Sequence, residues 1–308
     1  MIALWRVYCT VADAASAERA ARAFDDAVAS VSAFEAEPEG TWLVEGMSLD
    51  EPDAKAVELC LALAWIGSGA SAPSFAVERV APRDWLAENQ RGFPPIVVGR
   101  YVVHGAHWRE ALPAGKVALV IDAATAFGTG EHGSTRGCLV AIDALSRRRR
   151  FRRVLDMGTG TGILAIAAAK TWRSRVGAFD NDPEAVRVAR RNVAANGVAH
   201  VVAPARAGSH GERALVRRAP FDLVLANILA RPLVAMARGL ARNLAPEGVA
   251  VLSGLLPWQE SAVLAAHRRV RLTLAARVSV DGWSTLVLSR RGAARGQRIA
   301  HRPGSSPP

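Results

Sequence analysis

The sequence predicts an α/β protein in two units: a mostly parallel, helix-covered sheet, and before it a small α+β sandwich. Three observations carry this reading. Beyond Lys116, apolar strand-length runs alternate with helix-length segments, the pattern of a parallel sheet covered on both faces. Residues 1–80 read instead as strand, helix, two strands, helix, strand. The two regions also differ in charge: five Lys/Arg face thirteen Asp/Glu up to residue 80, a net of −8, and 34 face 15 beyond it, a net of +19. Half of the 308 residues are hydrophobic and 22% are charged, which supports real cores and excludes wholesale disorder.

Each element has a local reason. Leu4–Thr10 is apolar and β-rich. Ala17–Val28 carries Ala20, Ala23, Phe24 and Ala27 at helical spacing behind Ser16, read as the N-cap. Ser32–Glu37 and Thr41–Glu45 form a hairpin about Pro38–Gly40. Asp53–Trp65 is a helix with Val57, Leu61 and Ala64 on one face, stopped by Gly67, and Ser74–Val80 closes a βαββαβ unit of ferredoxin-like order. Residues 82–112 are punctuated by Pro82, Pro94, Pro95, Gly99 and Gly105 and read as an irregular linker with one short helix near Trp85. The expected organisation is therefore an acidic domain over 1–81, a linker over 82–112, a second domain over 113–291, and a disordered basic tail over 292–308.

In the second domain the predicted strands are Val117–Ile121, Val154–Asp156, Val176–Phe179, Phe221–Ala226, Gly248–Ser253, Leu272–Val280 and Ser284–Ser289. The helices are about Ser134–Leu145, Ile163–Lys170, Pro183–Asn196, Pro232–Leu244 and Glu260–His267. The strand ending at Asp156 is followed by Gly158, Gly160 and Gly162, then at once by an apolar helix. Glycines there let the backbone approach a ligand at the carboxyl end of a strand. A dinucleotide site wants G-x-G-x-x-G, whereas the spacing here is G-x-G-x-G. Asp180 ends the next strand, where a carboxylate can accept both hydroxyls of a ribose. Asp182 precedes Pro183 and reads as a helix cap. Asn227 follows the fourth strand and offers a donor and an acceptor at the mouth of the cleft. Gly128 and Gly133 approach a phosphate-loop spacing, but Ser134 stands where that loop needs lysine.

These residues together resemble an S-adenosylmethionine-dependent methyltransferase of the Rossmann-like class. The run Ala126-Phe-Gly-Thr-Gly130 with His132 and Thr135 narrows the match, as does Ala226-Asn-Ile-Leu-Ala230. Both resemble the ribosomal protein L-eleven methyltransferase family of the PrmA type, and the resemblance runs from about Trp85 to Arg290. It implies a Rossmann-like seven-stranded methyltransferase domain and the cofactor S-adenosyl-L-methionine. It places Thr135 near the methionine portion, Gly158 beneath it, Asp180 on the ribose, and Asn227 facing both cofactor and incoming amine, as the catalytic residue. Phe127 would line the pocket beside the sulfonium. The family loop has Pro and Thr after its His, where Gly133 and Ser134 stand here, so the resemblance implies a floppier loop.

The implied reaction methylates the N-terminal amine and lysines of the basic large-subunit ribosomal protein L-eleven. The acidic first domain is expected to recognise that substrate. The alternative is an RNA methyltransferase or an amino-group methyltransferase with another protein substrate. An RNA enzyme would be expected to stack a base on an aromatic after the Asn, but Ile228 and Leu229 follow instead. No direct nucleic-acid role is required. Cys9, Cys60 and Cys138 are far apart, and His104 and His107 lack acidic or Cys companions, so neither a disulfide framework nor a metal is expected. No apolar run approaches the roughly 20 residues a membrane helix needs, and the first twenty residues lack a clean signal pattern. A monomer in the reducing cytoplasm is the expectation.

Overall fold

The computed structural model describes residues 4–25, 27–36, 40–80, 95–122, 133–207, 217, 219–290 and 297–298. The chain divides into two compact units, Met1–Asp84 and Trp85–Pro308. The first unit runs β1 (Leu4–Val11), α1 (Ala14–Asp25), β2 (Ser30–Ala36), β3 (Thr41–Ser48), α2 (Ala54–Trp65) and β4 (Phe75–Val80). Its antiparallel sheet has the order β2-β3-β1-β4, the ferredoxin-like arrangement that the element order predicts. The two strand–helix–strand crossovers leave both helices to bury one face of this sheet. Val7, Val44, Phe24, Val57 and Leu61 are essentially inaccessible. Asp53 caps α2 by accepting from the Lys55 N–H.

The second unit is the expected α/β domain. Its strands and helices are β5 (Ile96–Val98), β6 (Tyr101–His104), β7 (Val117–Val120), α3 (Gly133–Ser146), β8 (Arg153–Met157), α4 (Ile163–Trp172), β9 (Arg175–Asp180), α5 (Pro183–Ala195), β10 (Val202–Arg206), β11 (Phe221–Asn227), α6 (Ala230–Asn243), β12 (Leu244–Leu255), α7 (Glu260–Arg268), β13 (Thr273–Val280), β14 (Trp283–Ser289) and β15 (Gln297–Arg298). The main sheet has the order β10-β9-β8-β11-β12-β14-β13-β15. β8 to β12 pair in parallel and β14 runs antiparallel between β12 and β13. The chain order reverses at β8, which sits between β9 and β11. That switch point is where open α/β sheets bind ligands. β8 is buried from Val154 to Met157 and α4 from Ile163 to Ala169, as expected of a strand and helix with no solvent-facing side.

Several elements differ from the sequence expectation. α1 starts at Ala14, so Ser16 lies inside it and not at its N-cap; the Ser16 N–H donates to Asp13 Oδ1 at 2.7 Å. Residues 82–112 are not irregular throughout: β5 and β6 form a hairpin that continues into β7 as a separate three-stranded sheet. The predicted helix near Trp85 lies outside the described residues. β10 was not expected at all; it is an edge strand containing Pro204, a residue edge strands tolerate and a pattern search passes over. Of the tail, Gln297 and Arg298 are described, and they pair with Ala276 and Arg277 of β13.

Candidate active site

The site grows out of the turn after β8. Gly158, Gly160 and Gly162 all have positive φ (+68°, +53° and +85°), a run that residues with a Cβ adopt only under strain. The turn is fixed by the Gly158 and Thr159 N–H groups, which donate to the Phe179 carbonyl at 2.9 and 3.1 Å. The reason for glycine at position 158 differs from simple open access. A Cβ there would meet Cγ2 of Ile228 at 2.3 Å. Ile228 is held from the other side too: a Cβ on Gly254 (φ +83°) would meet the Ile228 carbonyl oxygen at 2.5 Å. The Ile228 N–H donates to the Ser253 carbonyl at 3.1 Å. Ile228, the residue after Asn227, thus leaves no room for a Cβ at either position.

Asp180 ends β9 beside the turn. Its two oxygens accept from the Gly160 N–H at 2.9 Å and the Asp182 N–H at 3.1 Å, which fixes the carboxylate plane and leaves lone pairs on both oxygens. Asp182 is the N-cap of α5, accepting from the Glu184 N–H at 2.8 Å. Asn227 lies at the end of β11, one residue past the Ala226–Met157 pair, so it stands alongside Gly158. Its Nδ2 donates to Thr135 Oγ1 at 3.2 Å. Its Oδ1 is buried and has no hydrogen-bond partner among the described residues. Thr135 is fully buried near the start of α3.

Close packing by small residues brings α3 there. A Cβ on Gly133 would meet the Val280 carbonyl oxygen at 2.5 Å, and one on Gly137 would meet Thr285 Oγ1 at 2.3 Å. Beneath the helix, Ser253 Oγ bonds the Ser134 and Ser284 carbonyls at 3.2 and 3.1 Å and Thr285 Oγ1 at 2.7 Å. Burial pushes the neighbouring Cys138 thiol up to about 12, so it is a packing group rather than a nucleophile.

The four residues singled out from sequence therefore form two contacting pairs, Thr135 with Asn227 and Asp180 with the glycine turn, joined through Gly158 and Ile228. Phe127 and His132, with Ala126-Phe-Gly-Thr-Gly130, lie outside the described residues. Sequence reasoning missed Asn192 on α5 and Asn196 at its C-cap. Asn192 Nδ2 donates to the Thr161 carbonyl at 2.9 Å, and its Oδ1 accepts from the Asp122 N–H at 3.1 Å. Asn196 exchanges both amide bonds with the Val120 backbone, at 3.0 and 2.6 Å. Two asparagines at i and i+4 thus mimic a neighbouring strand for the end of β7 and tie it to the glycine turn. The available signal was an asparagine on an otherwise apolar helix face, at 192.

Asp156 was passed over as well. It is fully buried at the end of β8, and its Oδ2 accepts from Thr159 Oγ1 at 2.7 Å and the Ala165 N–H at 3.2 Å. Burial pushes its carboxyl up to about 7, against the pull of the Thr159 and Ala165 hydrogen bonds. A folded-state pKa above the unfolded value means that stability from this group is full below about pH 4 and is lost as pH rises through 7. Asp156→Asn is therefore expected to melt closer to the wild type at pH 5 than at pH 8, where the variant avoids a buried charge. Thermal melts across that range check it; a gap independent of pH contradicts it.

The residues fit a ribose-bearing ligand with an amine received beside it. Asp180 offers two oriented acceptors for a vicinal diol, and Asn227 Oδ1 offers a buried acceptor that lacks its donor. The glycine turn supplies a floor close to the backbone. Among the described residues no group of three His, Cys, Asp or Glu could hold a metal.

Comparison with known proteins shows the family. Residues 10–291 match the family model described as ribosomal protein L11 methyltransferase (PrmA). A ribosomal protein L11 methyltransferase of Rhodopseudomonas palustris is 40% identical over 289 residues, 92% of this chain and 97% of that protein. One of Bradyrhizobium diazoefficiens is 44% identical over 270 residues, 87% of this chain and 90% of that protein. Among solved structures, a ribosomal protein L11 methylase of Lactobacillus delbrueckii subsp. bulgaricus aligns with a TM-score of 0.57 and 26% identity, over 65% of this chain and all of that one.

Proposed function

Because the chain belongs to the ribosomal protein L11 methyltransferase family, we propose that it methylates amino groups of ribosomal protein L11, using S-adenosyl-L-methionine. The observation that carries this reading at the site is the buried, unsatisfied Asn227 Oδ1 beside the glycine turn. The cofactor, when bound, supplies a methyl group on a positively charged sulfur, already a good leaving group.

The protein's part is then to bind, orient and dry. Asp180 accepts the ribose hydroxyls, and the turn from Gly158 to Gly162 lies under the amino-acid end. Thr135 holds the Asn227 amide through its hydroxyl, which leaves Oδ1 to accept an N–H from the incoming amine and point the nitrogen lone pair at the methyl carbon. Such positioning is worth several orders of magnitude when the reacting atoms are held in line. The amine must arrive neutral. That costs about 4.6 kcal/mol for a lysine at pH 7 and only about 1 kcal/mol for an α-amine. The neutral fraction of a lysine rises with pH, so the rate of lysine methylation is expected to climb with pH.

Residues 1–81 act in this reading as the substrate-recognition domain. Their net −8 complements a basic ribosomal protein and would speed encounter. The same unit exposes Leu59 and Leu63 one turn apart on α2, with Ile66 just past its end, apolar side chains of the kind that mark a contact surface. The reaction belongs in the cytoplasm, where ribosomes assemble, and no helix of the described residues is long and apolar enough to cross a membrane.

The test is to incubate the full chain with methyl-labelled cofactor, total ribosomal proteins and ribosomal RNA from cells lacking this activity. Label is expected in L11 alone. Label in RNA, or in another protein, overturns the substrate assignment.

A further inference from the structure

The edge of the main sheet opposite the proposed site carries a concentration of cations that methyl transfer does not use. Six of the seven residues from Arg147 to Arg153 are arginine, and all six are exposed. They run from just past the end of α3 into the start of β8. Arg175 starts β9 directly beside Arg153, its register partner, and Arg173 lies just before it; both are exposed. Because β8 and β9 are parallel, these residues share the amino end of the sheet. The glycine turn lies at the carboxyl end, about 16 Å along the five residues of β8.

The patch is organised as well as dense. Arg149 lies over the Phe151 ring, 4.5 Å from its centroid, and Phe151 is itself locked edge-on against Trp172 at 4.9 Å. At one side the patch opens into a cavity of about 360 Å³ lined by Gly99, Arg100, Lys116, Asp143 and Arg147. There the buried Asp143 carboxylate fixes two guanidiniums, Arg100 Nε at 2.6 Å and Arg147 at 2.8 Å. Lys116 Nζ is held on the Gly99 carbonyl at 2.7 Å. Three cations face one carboxylate in this cavity. Elsewhere on the edge Asp222 directs one oxygen at the backbone N–H groups of Arg152 and Arg153.

A helix C-terminus accounts for cations in its last turn only. None of these arginines is in the last turn of α3, and like charges so close lie within one Debye length and repel. We propose that this edge docks RNA. A phosphate backbone offers regularly spaced charges that forked guanidiniums bind bidentately. None of the exposed large apolar side chains falls within 143–153 or 173–175, so the edge lacks the apolar anchors of a membrane-seated surface. Docking at the amino edge leaves the carboxyl edge open, so the chain would sit on a ribonucleoprotein while its site receives a protein amine. The surface stands apart from the methyl-transfer reading, and the two can fail separately.

The test compares the full chain with Arg150→Glu/Arg152→Glu/Arg175→Glu. A control makes the same charge change on α5, at Arg187, Arg190 and Arg191. The probe is a fluorescein-labelled RNA hairpin, read by anisotropy at several salt concentrations, with phosphatidylserine vesicles in parallel. Wild type is expected to bind RNA, with log affinity falling linearly against log salt. The edge variant should bind at least about tenfold more weakly, with a slope shallower by about two to three, roughly 0.7–0.9 per lost phosphate contact. The α5 control should change it far less. Methylation of free L11 should be unchanged in the edge variant. Equal losses in both variants, no wild-type binding, or binding to vesicles without RNA each overturn the proposal.

Discussion

Asn227→Ala is expected to lower the rate of methyl transfer by about 10²–10³-fold, the range that follows loss of one preorganised polar group at a reacting centre. The side chain is a single bridge. Its Nδ2 is committed to Thr135 at 3.2 Å, and its Oδ1 is the buried acceptor proposed to orient the amine. Alanine removes both ends and leaves Thr135 Oγ1 without its donor. Asn227→Asp keeps the shape but loses the donor to Thr135 and adds charge, so it should not rescue. The loss should fall mainly on kcat, because the amine is oriented only as it reacts. Thermal melting should move by a few degrees at most, since Gly254 and the Ser253 carbonyl hold the neighbouring backbone independently. A variant within threefold of wild type would remove Asn227 from the chemistry.

The second large effect is on binding. Asp180→Ala should weaken cofactor affinity by about 10²-fold or more. Two hydrogen bonds to a charged acceptor, at about 1.5 kcal/mol each or more, correspond to that loss. The substitution also strips the acceptors from the Gly160 and Asp182 N–H groups, so the glycine turn loses a fixing point. Asp180→Asn, which keeps one acceptor, should fall between. Calorimetry with S-adenosylhomocysteine separates this from Asn227→Ala, whose cofactor affinity should drop much less than its turnover. Equal affinity in Asp180→Ala and wild type would place the ribose elsewhere.

Much of this site was legible because its residues sit where a strand ends, a position that local pattern marks well. The G-x-G-x-G spacing, Asp180 and Asn227 all follow buried apolar runs, and the strand alternation predicts that three such ends converge. What stayed hidden depends on contacts distant in sequence. Asn192 and Asn196 read as ordinary helix positions until the edge of β7 lies beside them. Gly158 invites a reading of ligand access, whereas its nearest constraint is Ile228, 70 residues later along the chain. Asp156 looks like a strand residue, and its upward shift appears only with full burial. In the fold, β5 and β6 are three and four residues long among prolines and glycines, too short for periodicity to register. β12 begins at Leu244, ahead of the expected start at Gly248, and Leu244 already pairs with Phe221. The net charge of +11, read alone, points to nucleic acid. Resolved along the chain, it separates an acidic unit suited to a basic protein from an arginine edge suited to RNA.

The central claim is that one cluster, at the carboxyl ends of β8, β9 and β11, both holds the methyl donor and receives the amine. A crystal structure of the full chain with S-adenosylhomocysteine tests it most directly. Both ribose hydroxyls are expected within hydrogen-bond distance of the Asp180 carboxylate, with the amino-acid end over Gly158 and the sulfur facing Asn227. A ribose bound away from Asp180, or a sulfur on the far side of the glycine turn from Asn227, would contradict it.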